Sequence, residues 1–145
     1  MKLMSALFVF IIAGLMLFGG SHKIVLEDNN SRVFTFANGD SMSSRIDLMG
    51  GRLAAIQFPS AFTGTQVSIY TSYDSASIRA DLKPLYAFDA STKVLVPFVA
   101  GAVVGIDPKY QYYSYQYVWL KSLNVAATIT QAAARNGRAI ITPWD

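Results

Sequence analysis

Gln66-Val67-Ser68-Ile69-Tyr70-Thr71-Ser72-Tyr73 is the stretch that decides the fold class. It puts Val67, Ile69 and Thr71 on one side of an extended chain and Ser68, Tyr70 and Ser72 on the other. Strict period two with β-branched and aromatic residues is the pattern of a half-buried strand. The same reading extends outward in both directions. Upstream, Arg32–Phe36 alternates and runs into Asn38-Gly39, a tight-turn dipeptide. Ser43–Leu48 follows, and Gly50-Gly51 then turns the chain into Arg52–Phe58, whose wide apolar run points to burial on both sides. Pro59 and Gly64 bracket a loop whose Phe62 is expected to tuck under the sheet.

Downstream, Leu85–Phe88, Thr92–Phe98, Phe98–Ile106, Tyr115–Ser122, Ala126–Gln131 and Arg138–Thr142 are the remaining strand candidates. Pro97 lacks an amide hydrogen and so belongs at an edge or a strand end. Asp107-Pro108 opens one turn and Asn136-Gly137 reads as a second tight turn. Thr130–Arg135 is the one short helical rival. Eight or nine strands of about six residues favour an all-β fold, an antiparallel β-sandwich of jelly-roll-like kind, over an α/β sheet. The domain is assigned to residues 32–145.

The first twenty residues are of another kind. The chain of 145 residues is 52% hydrophobic and 14% charged, and the eighteen residues Leu3–Gly20 carry no charge at all. Eighteen residues make roughly 27 Å of helix, just enough for a hydrocarbon core. An N-terminal transmembrane α-helix within residues 1–22 is the reading adopted, with Leu7, Phe8, Phe10, Ile11, Ile12, Leu15, Leu17 and Phe18 facing lipid and residues 23–31 as a hinge. Two alternatives share the same residues. One is a secretory signal with Lys2 before an apolar Leu3–Phe18 and small residues Gly19-Gly20-Ser21 at the cleavage point. The other is a buried N-terminal helix in a homo-oligomer.

Chemistry is sparse. Cysteine is absent and His22 is the single histidine, which removes disulfides, thiolate metal sites and most nucleophilic triads. The net charge of +3 is scattered, so nucleic acid is not an expected partner. Nearly all the acids stand beside turn residues and read as caps. Asp74, Asp81 and Asp89 form a conceivable calcium set but lack any established spacing. Ser60 and Thr63 lack a histidine partner, and no glycine-rich phosphate loop is present. Catalytic, cofactor and metal sites are all expected to be absent. One stretch invites a functional reading. Alternation places Val118 and Leu120 opposite Tyr115, Tyr117 and Trp119, and if the aliphatic pair points inward the three rings line the outside. An exposed aromatic stripe of that kind marks a protein–protein contact, or a sugar-stacking surface. The competing reading is that the rings are buried beneath a neighbouring loop or belong to the core. Single-stranded nucleic acid would require interleaved basic residues, whereas only Lys109 and Lys121 flank the stretch.

The run Ser44-Arg45-Ile46-Asp47-Leu48, followed by Gly51-Arg52-Leu53-Ala54-Ala55-Ile56-Gln57-Phe58-Pro59-Ser60-Ala61-Phe62-Thr63-Gly64-Thr65, resembles a family of small bacteriophage structural proteins. Their later pattern is similar to Tyr117-Val118-Trp119-Leu120-Lys121-Ser122 and Gln131-Ala132-Ala133-Ala134-Arg135, and the likeness spans roughly residues 34–142. The resemblance implies a capsid-associated β-sandwich protein of the virion with no enzymatic role. The hydrophobic N-terminal run departs from the family pattern. Together they lead to the expectation of a membrane-anchored minor capsid or cement-type protein linking a lipid layer to the shell. Its partners would be other virion proteins, membrane lipid and copies of itself, and it would pass through the host envelope during assembly. The alternative is a secreted or surface module that recognises a glycan or receptor through its aromatic face.

Overall fold

The computed structural model describes residues 30–87, 91–111, 115–125 and 127–143. The expected anchor and all but the end of the hinge lie outside the described residues. Among the described residues no helix is long and apolar enough to cross a membrane.

Among the described residues ten strands follow one another: β1 (Ser31–Phe36), β2 (Ile46–Asp47), β3 (Arg52–Gln57), β4 (Gln66–Ser72), β5 (Lys83–Pro84), β6 (Leu95–Pro97), β7 (Val103–Gly105), β8 (Tyr117–Asn124), β9 (Ala127–Thr128) and β10 (Arg135–Thr142). A 3₁₀ turn at Arg79–Asp81 and a short helix α1 at Pro108–Gln111 interrupt them. The strands make two antiparallel sheets, one in the order β1-β10-β3-β7 and the other in the order β2-β8-β4-β5, with β6 also on β4 and β9 also on β8. The fold is an all-β sandwich, as the alternating pattern leads one to expect.

The pairings nest. β1 pairs with β10, β2 with β8, β3 with β7, and β4 with β5 and β6. The two short strands β5 and β6 lie end to end along β4, because Lys83–Pro84 face Thr71 and Tyr70 while Leu95–Pro97 face Ser68 to Gln66. Between them the chain makes an excursion closed by the Tyr86–Lys93 bridge and by the Ala87 N–H on the Thr92 carbonyl at 2.7 Å. The single strand expected over Thr92–Phe98 is therefore the second half of an interrupted one. Pro97 ends it, as its missing amide hydrogen requires.

The two sheets close over one core. Val67 and Ile69 of β4 and Val118 and Leu120 of β8 pack against Phe34, Phe36, Leu53, Ile56 and Ile141 of the opposite sheet. Phe62 joins them from the Pro59–Gly64 loop, as expected. Its ring meets Phe36 edge-on at 4.8 Å between centroids and Phe98 at 5.1 Å, while Phe58 stacks on Phe98 at 4.3 Å. Each such ring contributes about 1.5–3 kcal/mol by leaving water, and each aromatic pair about 0.5–1.5 kcal/mol more.

Several local expectations change. Arg52–Phe58 is buried on one side only: the register with β10 skips between Ile140 and Ile141, leaving Ala54 as an extra residue. That bulge lets Leu53 and Ile56, three apart, both point inward, which gave the run its two-sided look. The turn expected at Gly50-Gly51 is centred on Met49-Gly50, with the Gly51 N–H on the Leu48 carbonyl at 2.8 Å. Ser43–Leu48 contracts to β2, Phe98–Ile106 to β7, and Ala126–Gln131 to β9, while Thr130–Arg135 forms no helix.

Asn136-Gly137 is not a turn at all. It lies inside β10, where Gly137 stands opposite Phe34. A Cβ there would sit 2.3 Å from Phe34 Cζ and 2.7 Å from the Gln57 carbonyl oxygen. The glycine is thus a packing requirement: it makes room for a core ring. Gly137→Ala should lower stability by about 2–3 kcal/mol, as overpacking does. Gly105→Ala in β7, where a Cβ would meet nothing within 4 Å, should stay within about 0.5 kcal/mol of the parent. Urea denaturation of the two variants measures the contrast.

Candidate functional site

The aromatic strand was the leading site candidate, and the structure covers it. Val118 and Leu120 do face the core, but Tyr117 and Trp119 on the other side are only 9% and 6% exposed. They form a second apolar cluster with Met42 and Leu82, with Tyr70 against it. Tyr115, 8% exposed, belongs to the main core. The exposed stripe of three rings is therefore corrected to buried rings, and Tyr115, Tyr117 and Trp119 no longer supply a contact surface by exposure. The cover comes from sequence-distant segments: Met42 bridges to Lys121, and Leu82 arrives after the polar Asp74–Lys83 stretch. The Arg45 guanidinium closes the edge, 4.9 Å from the centre of the Tyr117 ring.

A carboxylate–guanidinium pair holds this cover. Arg79 donates to both oxygens of Asp40 at 2.7 and 2.8 Å. The Arg79 hydrogen bond holds the Asp40 carboxyl below its ordinary value, against a smaller upward push from burial. Both side chains keep substantial solvent access, so the pair contributes at most a few tenths of a kcal/mol.

The stretches that carry the resemblance meet in a buried polar cluster. Gln131 is fully buried; its Nε2 donates to the Thr63 carbonyl at 2.8 Å and to Ser122 Oγ at 3.2 Å, and its Oε1 accepts from the Thr63 N–H at 2.9 Å. Ser122 Oγ in turn donates to the Thr63 carbonyl at 2.8 Å. Gly64, at φ +122°, lets the loop lie this close, since a Cβ there would sit 2.8 Å from Ser122 Oγ and 2.9 Å from the Leu123 carbonyl. The Gln131 backbone continues the chain of bonds, its N–H on the Asp40 carbonyl at 2.9 Å and its C=O accepting from Gly39 at 2.8 Å. Thr63 and Gln131 are positioning groups for two loops, and Thr63 has no acid–base partner among these contacts.

The acids behave as turn formers. Asp47, Asp74 and Asp107 accept the N–H two residues on, from Met49, Ala76 and Lys109. The Lys109 ammonium, 3.0 Å from Asp107, holds that carboxyl low. Asp74 and Asp81 join no third ligand, and among the described residues no group of three metal-ligating side chains occurs. Asp89, His22 and the lipid-facing set Leu7, Phe8, Phe10, Ile11, Ile12, Leu15, Leu17 and Phe18 lie outside the described residues.

The outer faces of the two sheets differ. The β2-β8-β4 face is largely closed by the second cluster. The β1-β10-β3-β7 face has no element packed over it among the described residues. Across it runs the row Val33, Arg138, Gln57, Val103, and beside it Ser31, Ile140, Ala55, Gly105. Arg138 is the one charged member of these rows. A depression of about 370 Å³ between Val33, Gln57, Pro59, Asn136 and Arg138 breaks its surface. One further opening remains on the closed side, a groove of about 220 Å³ over Ser68 between Lys93, Leu95 and Lys121. Sequence reasoning missed it, because only the register sets Ser68 between Lys121 and Leu95.

Comparison with protein-family models, with curated proteins and with solved structures finds no match to this chain.

Gln131→Leu should cost about 2–3 kcal/mol, since it strands the buried Thr63 N–H. The denaturant midpoint falls while the slope stays constant. Asp40→Asn should matter little at neutral pH and less in acid. The folded-state value of Asp40 is depressed, so its contribution is present above the ordinary carboxylate value of 3.8 and fades as pH falls through the lower folded value. Thermal midpoints of parent and variant should converge as pH falls below the depressed folded-state value.

Proposed function

We propose that this chain is a non-enzymatic structural protein of a bacteriophage virion. Its β-domain meets the protein shell and its apolar N-terminal run holds a lipid layer. The observation that carries the reading is the nested strand order. Pairing β1 with β10, β2 with β8, β3 with β7 and β4 with the interrupted β5/β6 strand describes a long antiparallel ribbon. Rolled so that β10 meets β3 and β8 meets β4, that ribbon has the jelly-roll order, an architecture shared by viral capsid and lectin domains.

Two further points support the shell over the lectin. The rings that a sugar-stacking surface would use, Tyr117 and Trp119, are covered by Met42 and Leu82. The uncovered β1-β10-β3-β7 face is broad, and it carries Arg138 and Arg52 among otherwise uncharged side chains, which suits packing against a neighbouring protein. The residues of the phage-like motif also hold the loops at one end of the sandwich through Thr63, Gly64, Ser122 and Gln131. In this reading the domain carries out no chemistry; it touches other shell proteins, copies of itself, and through residues 1–22 the membrane.

Density-gradient purification of particles, followed by mass spectrometry with and without lipid extraction, tests the reading. The chain should travel with intact particles at a fixed ratio to the shell protein, its peptides reaching into residues 1–22. Recovery only in the secreted fraction, with a mass lacking about the first 21 residues, would favour the cleaved surface module instead.

A further inference from the structure

The groove over Ser68 sets a serine hydroxyl between two lysines on the outward side of the second sheet. Ser68 stands on the outward side of β4, directly opposite Lys121 on β8 and Leu95 on β6. It is only 2% exposed, yet it lines the groove, and no hydrogen bond to its hydroxyl is made within the described residues. The other buried polar side chains, Ser43, Ser122 and Gln131, are all bonded.

The surroundings define what would satisfy it. Lys121 and Lys93 stand on the two sides, and among the described residues no acid lines the groove. The Lys121 ammonium lies 5.8 Å from the Tyr70 ring centre, its one close partner among the described residues. The rim adds Leu95 and Val125, two of the exposed large apolar side chains. Val125 is held outward at the β8–β9 turn with φ +56°. A hydroxyl floor between two ammonium groups calls for a carboxylate, and an apolar rim calls for aliphatic neighbours on the same ligand.

We infer that this groove is a docking site for an acidic segment of a partner protein: a Glu or Asp carboxylate accepts the Ser68 hydroxyl between Lys93 and Lys121, while flanking aliphatic residues cover Leu95 and Val125. A lipid phosphate would meet the same charges, but the groove lies toward the Gln66 and Leu123 end of β4 and β8. The chain emerging from the N-terminal residues enters at the other end, where Asn30 lies beside Met49 and Gly50. The site thus points away from the side that an N-terminal anchor would hold. The groove's chemistry stands by itself, while the choice of a protein over a lipid rests on the anchor proposed above.

The test uses the full-length chain, ¹⁵N-labelled and held in neutral non-ionic micelles. It is titrated with the blocked peptide Leu-Val-Glu-Asp-Leu-Val and with its uncharged counterpart Leu-Val-Gln-Asn-Leu-Val. The acidic peptide should shift the amides of Ser68, Leu95, Lys121 and Thr128 and bind at least tenfold more tightly than the uncharged one, with affinity falling as salt rises. Lys93→Ala, on an exposed side chain that leaves the core untouched, should weaken it about tenfold, and Ser68→Ala about fivefold. Equal binding of the two peptides, shifts elsewhere on the domain, or no binding would overturn the inference. So would the same shifts produced by inorganic phosphate or by phosphatidylglycerol added to the micelles, if the acidic peptide fails to produce them.

Discussion

A single buried amide side chain joins parts of this chain that are far apart in sequence. Gln131 reaches the Thr63 backbone with both ends of its amide, touches Ser122 in the middle strand of one sheet, and through its own backbone holds Gly39 and Asp40. Asp40 in turn holds Arg79, and with it the segment that lays Leu82 over Tyr117 and Trp119. Gln131 and Ser122 are fully buried, so their side-chain polar atoms must find partners inside the protein, and this fixes how the Thr63 loop lies. The same closure explains why β8 is bonded along both edges: β4 runs along one, and β2, Ser43, Met42 and β9 share the other.

Much of the fold was legible because strand alternation is a local property. Gln66–Ser72 and Tyr117–Ser122 formed as their side-chain pattern requires, and Phe62 went where a lone ring in a polar loop must go. What was not legible depends on partners. Asn136-Gly137 has turn chemistry, and only the Phe34 ring across the sheet explains the glycine. The bulge at Ala54 hides in a run that looks uniformly apolar. The aromatic strand shows both sides of this: its alternation correctly sends Val118 and Leu120 inward, whereas Met42 and Leu82, which cover the outer rings, come from two separate segments far earlier in the chain. The groove over Ser68 is of the same kind, since two lysines and a serine become neighbours only through register.

The polar groups of this domain are spent on holding loops, and the acids on turns. That pattern leaves the outer faces to carry whatever the domain does. One is closed by its own apolar cluster apart from the lysine-flanked groove, and the other is open among the described residues, with Arg138 and Arg52 on it.

Gln131 makes the Thr63 loop part of the cooperative core, and native-state hydrogen exchange reads this directly at one atom. The Thr63 amide, whose hydrogen lies on Gln131 Oε1, should exchange only with global unfolding, at a rate matching Ile69 and Leu120. Exchange of Thr63 orders of magnitude faster than those core amides, at the rate of an open surface loop, would contradict it.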